Sequence, residues 1–167
     1  QRLEVGTKIV AMIAAREETI ISTDEAVYGM TFVGGDFVFS FRLLATDSGA
    51  AGLNTMISID GDVYWLGKRN FFKYDGIVQE LPCPVQYYVF DRMQKNFIEK
   101  TTVGHNKAFK EVTWFYVSND NTAGTINPEP DAYATFNYAE NAWTVGTLGR
   151  TVWSDSFGAR KVPFAID

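Results

Sequence analysis

Short stretches of alternating apolar and polar residues, separated by turn signals, run through most of the chain. Phe37, Phe39 and Phe41, for example, are spaced two apart and would share one face of a strand. The pattern predicts strands at 8–14, 19–23, 27–32, 37–41, 54–59, 63–66, 71–74, 77–81, 111–117, 132–138, 142–145 and 151–153. Consecutive short strands of this kind indicate antiparallel hairpins and meanders.

Two Asp-Gly pairs give the strongest turn signals. Asp60-Gly61 and Asp75-Gly76 each separate two apolar runs. Glycine readily adopts the positive φ that tight hairpin turns require, so both pairs predict hairpins.

One segment changes its period. Val85, Val89, Met93 and Phe97 recur every four residues after Pro84, which is tolerated at the start of a helix. The spacing predicts one amphipathic helix at about 85–97. The polar stretch 118–131, rich in Asn, Asp, Gly, Thr and Pro, predicts a long loop, and long loops often carry partner contacts.

Composition favours a β-rich core. Of 167 residues, 46% are hydrophobic and 15% aromatic, whereas only 21% are charged, a balance typical of half-buried pleated surfaces. We therefore expect a mostly β fold across 1–167. Because the chain opens on Gln1 without an initiating Met, we expect it to be a fragment of a longer polypeptide.

Charge and hydropathy narrow the possible partners. The net charge is −5, and Lys68-Arg69 is the densest basic pair. A protein that grips nucleic acid needs a clustered basic surface, whereas like charge would let DNA pass without sticking. No apolar run approaches the roughly 20 residues of a membrane span.

A weak internal repeat suggests a propeller-like arrangement. Three stretches place an apolar pair before a polar turn and an aromatic on the return strand: 20–28, 64–74 and 114–133. Val27 and Phe71 lie 44 residues apart, within the range of propeller blades. The repeat predicts blade-like units at about 8–47, 54–84 and 109–155. A propeller needs about four or more blades, so the remaining blades would lie elsewhere in a longer polypeptide.

The same residues carry a resemblance to a known family. The stretches are Asp62-Val63-Tyr64-Trp65-Leu66-Gly67, Phe71-Phe72-Lys73-Tyr74-Asp75-Gly76, Leu81-Pro82-Cys83-Pro84-Val85, Tyr88-Val89-Phe90, 109–116, 133–138 with Trp143, and 150–155. In this order they resemble the tail-hub or nozzle and packaged-DNA stabilisation (head-completion) proteins of short-tailed bacteriophages.

The resemblance implies a structural protein of the virion tail, made in the host cytoplasm. Such a protein would form a homo-oligomeric ring, contact other tail or portal proteins, and retain or guide packaged DNA. The resemblance carries no catalytic signature, and we expect no enzyme activity, no cofactor and no metal. A carbohydrate- or receptor-binding β-propeller module is the alternative function.

The residues themselves offer few candidates for chemistry. His105 is the sole histidine and lies in an expected turn, and no Gly-x-Ser-x-Gly motif is present, so a polar turn role is favoured over a general base. His105 and Cys83, the sole cysteine, cannot complete a zinc site without carboxylates. No residue is assigned as catalytic, cofactor-binding or metal-binding.

Carboxylates and glycines at turns have simpler interpretations. Asp60 with Asp62, or Asp24 with Glu25, could form a glycosidase pair, but Asp at a turn ordinarily caps the backbone. The glycines at 34–35 and 49–52 lack the context of a phosphate-binding loop. The loop oxygens that could bind Ca²⁺ do not match the spacing of a calcium loop: Asp120, Asn121, Asn127, Glu129 and Asp131.

Eight aromatic residues remain open to two interpretations. They could stack on glycans or bases, or they could fill the core between sheets, which is favoured. They are Tyr64, Trp65, Phe72, Tyr74, Trp114, Tyr116, Trp143 and Trp153.

Overall fold

The computed structural model describes residues 3–35, 38–120, 128–155 and 163–166. Within these ranges the protein is mostly β, with four antiparallel sheets and little helix, which confirms the predicted fold class. The chain divides into two compact units, Gln1–Pro82 and Cys83–Asp167. A closed propeller stays a prediction.

The first unit contains two four-stranded sheets in which strands follow one another in chain order. Sheet 1 consists of β1 (Ile9–Ala14), β2 (Thr19–Thr23), β3 (Ala26–Phe32) and β4 (Phe39–Thr46). Sheet 2 consists of β5 (Met56–Ile59), β6 (Asp62–Leu66), β7 (Phe71–Tyr74) and β8 (Val78–Glu80). The predicted strand at 37–41 differs from β4, which continues to Thr46, and Phe37 lies outside the described residues.

Both Asp-Gly turns join neighbouring strands as predicted. Asp60 (φ 52°) and Gly61 (φ 94°) connect β5 to β6, and Gly76 (φ 116°) lies between β7 and β8. Two successive positive φ angles suit the right-handed twist of a tight hairpin. These turns fix the register of sheet 2.

The two sheets of the first unit pack face to face. Ile20 and Val27 of sheet 1 belong to one core with Trp65, Phe72 and further residues of sheet 2. The Trp65 and Phe72 rings stack at 5.4 Å between centroids. Burial of each large apolar side chain contributes about 1.5–3 kcal/mol, so this interface stabilises the unit.

The segment 47–55, which is buried at 48–50, carries the chain from sheet 1 to sheet 2. The Ala50 N–H donates to Ser22 Oγ of β2 at 2.7 Å, and Trp65 Nε1 of β6 donates to the Ser48 carbonyl at 2.7 Å. A Cβ on Gly49 would lie 2.5–2.7 Å from backbone atoms of sheet 1. Only glycine allows this approach without a shift of the backbone.

A polar contact also joins the two sheets. Glu18, whose side chain is 6% exposed, accepts hydrogen bonds from the Tyr74 hydroxyl of sheet 2 and from Arg42 Nη2 at 3.0 Å. Gly29 makes room for this carboxylate, since a Cβ there would lie 1.7 Å from Glu18 Oε2. A buried carboxylate with two donors avoids the cost of an unpaired charge.

The second unit contains a third four-stranded sheet, a short hairpin and helical segments. Sheet 3 consists of β9 (Thr102–Asn106), β10 (Glu111–Tyr116), β11 (Ala132–Asn137) and β12 (Ala142–Thr147). The hairpin pairs β13 (Val152–Ser154) with β14 (Phe164–Ile166). The sequence pattern does not predict β9 or β14, and β9 precedes the predicted blade-like unit at 109–155.

The helix is shorter than predicted. Helix α1 spans Gln86–Arg92, and a kinked 3₁₀ segment follows at Lys95–Lys100. Met93 is extended (φ −73°, ψ 129°) and bridges Ser118, while the Gln94 N–H donates to the Val117 carbonyl at 2.9 Å. The predicted end at Phe97 is wrong because this strand-like pairing replaces the helical hydrogen bonds.

The three sheets repeat at a regular interval. Strands β1, β5, β9 and β13 begin at residues 9, 56, 102 and 152, a spacing of 46–50 residues. The three stretches of the sequence repeat fall on the second and third strands of the three sheets: β2 and β3, β6 and β7, and β10 and β11. This strand spacing lies within the range of propeller blades, and the blade-like units stay a prediction.

Replacing Ser22 tests the hydrogen bond between the connecting segment and β2. Ser22→Ala leaves the buried Ala50 N–H without its acceptor, and we expect the free energy of unfolding to fall by about 1–3 kcal/mol, measured by urea denaturation. Ser58→Ala makes the same change at an exposed strand position and serves as the control. Equal effects of the two substitutions would contradict a stabilising role for the Ser22 contact.

The Tyr74 contact predicts an alkaline loss of stability. Burial, together with the hydrogen bond to Glu18, raises the pKa of Tyr74 to about 12 from 10.0. Above pH 10 the unfolded chain ionises this phenol while the folded chain keeps it neutral, so stability is complete below pH 10 and falls up to about pH 12.

We expect Tyr74→Phe to flatten this decline by on the order of 1–2 kcal/mol in denaturation curves recorded from pH 7 to pH 12. The difference between the two proteins should be constant from pH 7 to pH 9, which provides an internal control. Profiles that remain parallel up to pH 12 would show that Tyr74 does not titrate differently in the folded state.

Candidate functional site

Helix α1 presents two tyrosines on the surface of the second unit. Val89 anchors the helix in the core, whereas Tyr87 is 84% exposed and Tyr88 is half exposed. The Arg92 guanidinium lies over the Tyr88 ring at 4.9 Å. This cation–π contact holds one of the exposed rings in a defined orientation.

The end of α1 is joined to the beginning of the loop at 118–131. The Asn119 backbone N–H donates to the Arg92 carbonyl, and Asn119 Nδ2 donates to the Asp91 carbonyl at 2.8 Å. Gln94 Nε2 donates to the Ser118 carbonyl at 2.7 Å, and Arg92 forms an ion pair with Asp120. The structure thus joins the predicted helix to the beginning of the loop for which the sequence predicts partner contacts.

A cleft of about 370 Å³ lies at this junction. Its lining combines an aromatic ring with amide, carboxylate and ammonium groups, from Phe90, Asp91, Met93, Gln94, Lys95, Asn96 and Asn119. Such a lining can form directional hydrogen bonds with a polar ligand or with a partner loop. We refer to it as the helix–loop cleft.

The described carboxylates of the loop contact protein groups. Asp131 accepts from the Ser118 N–H and hydroxyl, both at 2.7 Å, and Glu129 pairs with Lys100 at 3.2 Å. Asn121 and Asn127 lie outside the described residues. In the part of the chain that is described, no group of three or more His, Cys, Asp or Glu residues is placed to hold a metal ion.

His105 lies in strand β9, so its expected place in a turn is wrong. Its Nε2 is 3.0 Å from the Tyr138 hydroxyl, and its Nδ1 is 3.3 Å from Asp155 Oδ2. The expectation fails because Thr-Val-Gly-His-Asn has little strand character, and β9 instead forms by pairing with the apolar strand β10. The structure therefore assembles an Asp-His-Tyr chain that the sequence did not suggest.

The Asp-His-Tyr chain connects β9 to the β13–β14 hairpin. Trp153 Nε1 donates to the His105 carbonyl at 2.7 Å, and the Lys107 N–H donates to Asp155 at 3.0 Å. The Trp153 ring also lies against Gly104, where a Cβ would come within 2.5 Å of it. These contacts account for His105 and Asp155 as residues that position the hairpin.

Both proposed carboxylate pairs lie at turns and make local contacts. Asp62 accepts from Lys73 at 3.0 Å, and burial of Lys73 is outweighed by hydrogen bonds to Asp75 and Asp62, which raise its pKa above the usual value. Asp24 accepts from the Thr7 hydroxyl and N–H at 2.6 and 2.7 Å, which lowers its pKa well below the usual range. A general acid needs a raised pKa, so the lowered pKa of Asp24 disfavours that role.

A second cleft, of about 580 Å³, lies in the first unit beside the turns that join the second and third strands. Its lining carries charges of both signs, from Asp24, Glu25, Asp47, Lys68, Arg69 and Glu80, with Gly49, Asn70 and Phe72. The basic pair that the sequence singled out thus faces a cleft rich in carboxylates, which disfavours a phosphate ligand.

Six of the eight candidate aromatic residues are buried, which confirms their core interpretation: Tyr64, Trp65, Phe72, Tyr74, Trp114 and Tyr116. Trp143 and Trp153 are half-buried. Trp143 stacks on Trp114 at 6.1 Å, so it also contributes to packing. Cys83 is a free thiol, and burial raises its pKa to about 11, which disfavours the reactive thiolate.

Among the described residues no helix combines the length and apolar character needed to cross a membrane. In comparisons with known proteins, neither a protein-family model nor a curated protein matches this chain.

Proposed function

We propose that the chain is a structural component of the tail or head-completion assembly of a short-tailed bacteriophage. In this role it oligomerises with other copies, forms part of a tail tube or nozzle, and helps to retain or guide packaged DNA. The observation that carries the proposal is the series of regularly spaced, four-stranded antiparallel sheets, whose second strands are largely buried.

The phage context comes from the resemblance of the aromatic hairpins. Its stretches lie on β6 and β7, between β8 and α1, on α1, and on β10, β11, β12 and β13. Their rings occupy core positions such as Trp65, Phe71 and Trp114, so the resemblance is a likeness of packing residues. Packing residues specify a fold more than a reaction, and this agrees with a geometric role.

The contacts of such a component would lie at the helix–loop cleft. Its polar groups can pair with a neighbouring tail protein, and the contacts of Asn119 with Arg92 and Asp91 hold its two walls together. A net charge of −5 favours weak contact with DNA, since like charges repel phosphate. A conduit benefits from a wall to which DNA does not stick.

The location of the protein in virions tests the proposal. Antibodies raised against the purified chain, carrying gold particles, are applied to virions of the phage that encodes it and viewed by electron microscopy. We expect gold at the tail or at the neck below the portal. Antibody preincubated with excess chain is the control, and gold confined to other parts of the particle, or none above the control, would refute the proposal.

Glycan binding is a second candidate, favoured by one observation. Tyr87 and Tyr88 are exposed on α1, near a cleft that carries amide and carboxylate groups. Flat rings beside hydrogen-bonding side chains are the groups that sugar ligands use.

An array of bacterial surface polysaccharides tests this second function. If it is correct, the chain binds a subset of the array, and Tyr87→Ala lowers the affinity by roughly tenfold, the loss expected for one stacking contact of 1–1.5 kcal/mol. Phe109→Ala removes a ring that is also exposed in the second unit and should leave binding unchanged. The absence of binding by the unsubstituted chain would eliminate this candidate.

A further inference from the structure

The two faces of sheet 1 differ in what covers them. One face, with Ala11, Ile20 and Val27, packs against sheet 2. We call the opposite face the open face of sheet 1. Strand register places on it the rows Met12–Ile21–Tyr28–Leu43, Met30–Phe41 and Phe32–Phe39.

The open face is apolar and only partly covered. Leu3 and Val5 lie against Ile21 and Tyr28 at its centre. Around them Phe32 is 73% exposed and Leu43 is 45% exposed, and Met12 and Phe39 are exposed as well. An apolar sheet face of this kind marks an interaction surface.

A comparison of sheet 1 with sheet 2 indicates which kind of surface packs on such a face. The Asp24 N–H donates to the Lys8 carbonyl, just before β1, as the Leu66 N–H donates to the Thr55 carbonyl, just before β5. Asp24 therefore corresponds to Leu66. Three residues earlier on each second strand, Ile21 corresponds to Val63, so the cross-strand pair Ile21–Tyr28 corresponds to Val63–Tyr74.

In sheet 2 the Val63–Tyr74 face is the one that packs against sheet 1. What covers it is another four-stranded sheet, which presents small and aliphatic side chains such as Ala11 and Ile20. The open face of sheet 1 is therefore built to receive a neighbour of the same repeat.

The β13–β14 hairpin offers a matching surface. Strand β13 lies against β9, as β5 lies against β1, so it occupies the first position of a fourth repeat. Trp153 points toward sheet 3, where it meets Gly104 and Phe115. The opposite side of the hairpin carries the paired residues Val152 and Ile166, which are 51% and 53% exposed. We call this the outer face of the hairpin.

We propose that the open face of sheet 1 binds the outer face of the β13–β14 hairpin of a second copy of this chain. The sheet 1–sheet 2 interface is the template, with aliphatic side chains of one repeat packed on the aromatic face of the next. The two surfaces are different, so the association is head to tail and produces a ring or a filament. The proposal deepens the proposed function and rests on its premise that the chain is an assembly component.

Sedimentation velocity of the full chain, from low to high micromolar concentration, tests the proposal. We expect oligomers that grow with concentration. Leu43→Lys places a charge on the open face, Ile166→Glu places one on the outer face, and each should raise the dissociation constant roughly tenfold or more. Leu53→Lys and Ile77→Glu make the same changes at exposed positions away from both surfaces, and should associate like the unsubstituted chain. Circular dichroism confirms that all four variants fold.

Mixing the two disruptive variants distinguishes head-to-tail from symmetric pairing. Leu43→Lys keeps its outer face and Ile166→Glu keeps its open face, so an equimolar mixture retains one intact interface and should form dimers only. Undiminished self-association of Ile166→Glu alone would overturn the assignment of the hairpin.

A chain that is monomeric at every concentration would assign the open face to another polypeptide and overturn the proposal. That outcome leaves the virion-labelling result independent, because gold at the tail would still support the proposed function. Conversely, head-to-tail oligomers of a chain that is missing from virions would support this interface and refute the tail role.

Discussion

The hydrogen bonding of the segment that connects sheets 1 and 2 is the constraint on which the first unit depends. The segment 47–55 is buried at 48–50, and buried backbone N–H and carbonyl groups need partners. Ser22 Oγ accepts the Ala50 N–H, and Trp65 Nε1 donates to the Ser48 carbonyl, so the segment is bonded to both sheets at once. Because these contacts work in one register only, they fix which faces of the two sheets meet, and the contacts of Tyr74 and Phe72 follow from that choice.

In the second unit different residues connect the chain to the second strand of the sheet. There the chain approaches β9 through Met93 and Gln94, which pair with Ser118 and Val117 after β10. In the first unit Ala50 and Ala51 pair in the same way with Gly67 and Leu66 at the end of β6. What repeats is the backbone bridge after the second strand, so the units can share architecture with little sequence identity. The longer approach in the second unit leaves room for α1, which places exposed tyrosines beside the loop.

Sequence reasoning succeeded where one local signal decided the structure. Asp60-Gly61 fixes a hairpin through its own φ angles, and Trp65 and Trp114 are large enough that burial decides their place. It failed where the structure of a segment depends on contacts with residues that are distant in the sequence. β9 is a strand only because β10 pairs with it, and α1 stops before Met93 because Ser118 competes for the backbone. The Asp-His-Tyr chain spans residues 105, 138 and 155, and its contacts depend on a hairpin that a periodic pattern does not reveal.

The edge strands β4 and β8 of sheets 1 and 2 explain why association through sheet faces is favoured over association through sheet edges. Long, flat edge strands invite pairing with other chains, and proteins protect them with bulges, charges, proline or short length. In β4 the register with β3 shifts between Val27 and Tyr28, and Arg42 is held across the strand by Glu18. β8 has only three residues and is followed by Pro82. With the β4 and β8 edges protected and one apolar face left open, the first unit can extend by packing another sheet on that face, as its own two sheets already pack on each other.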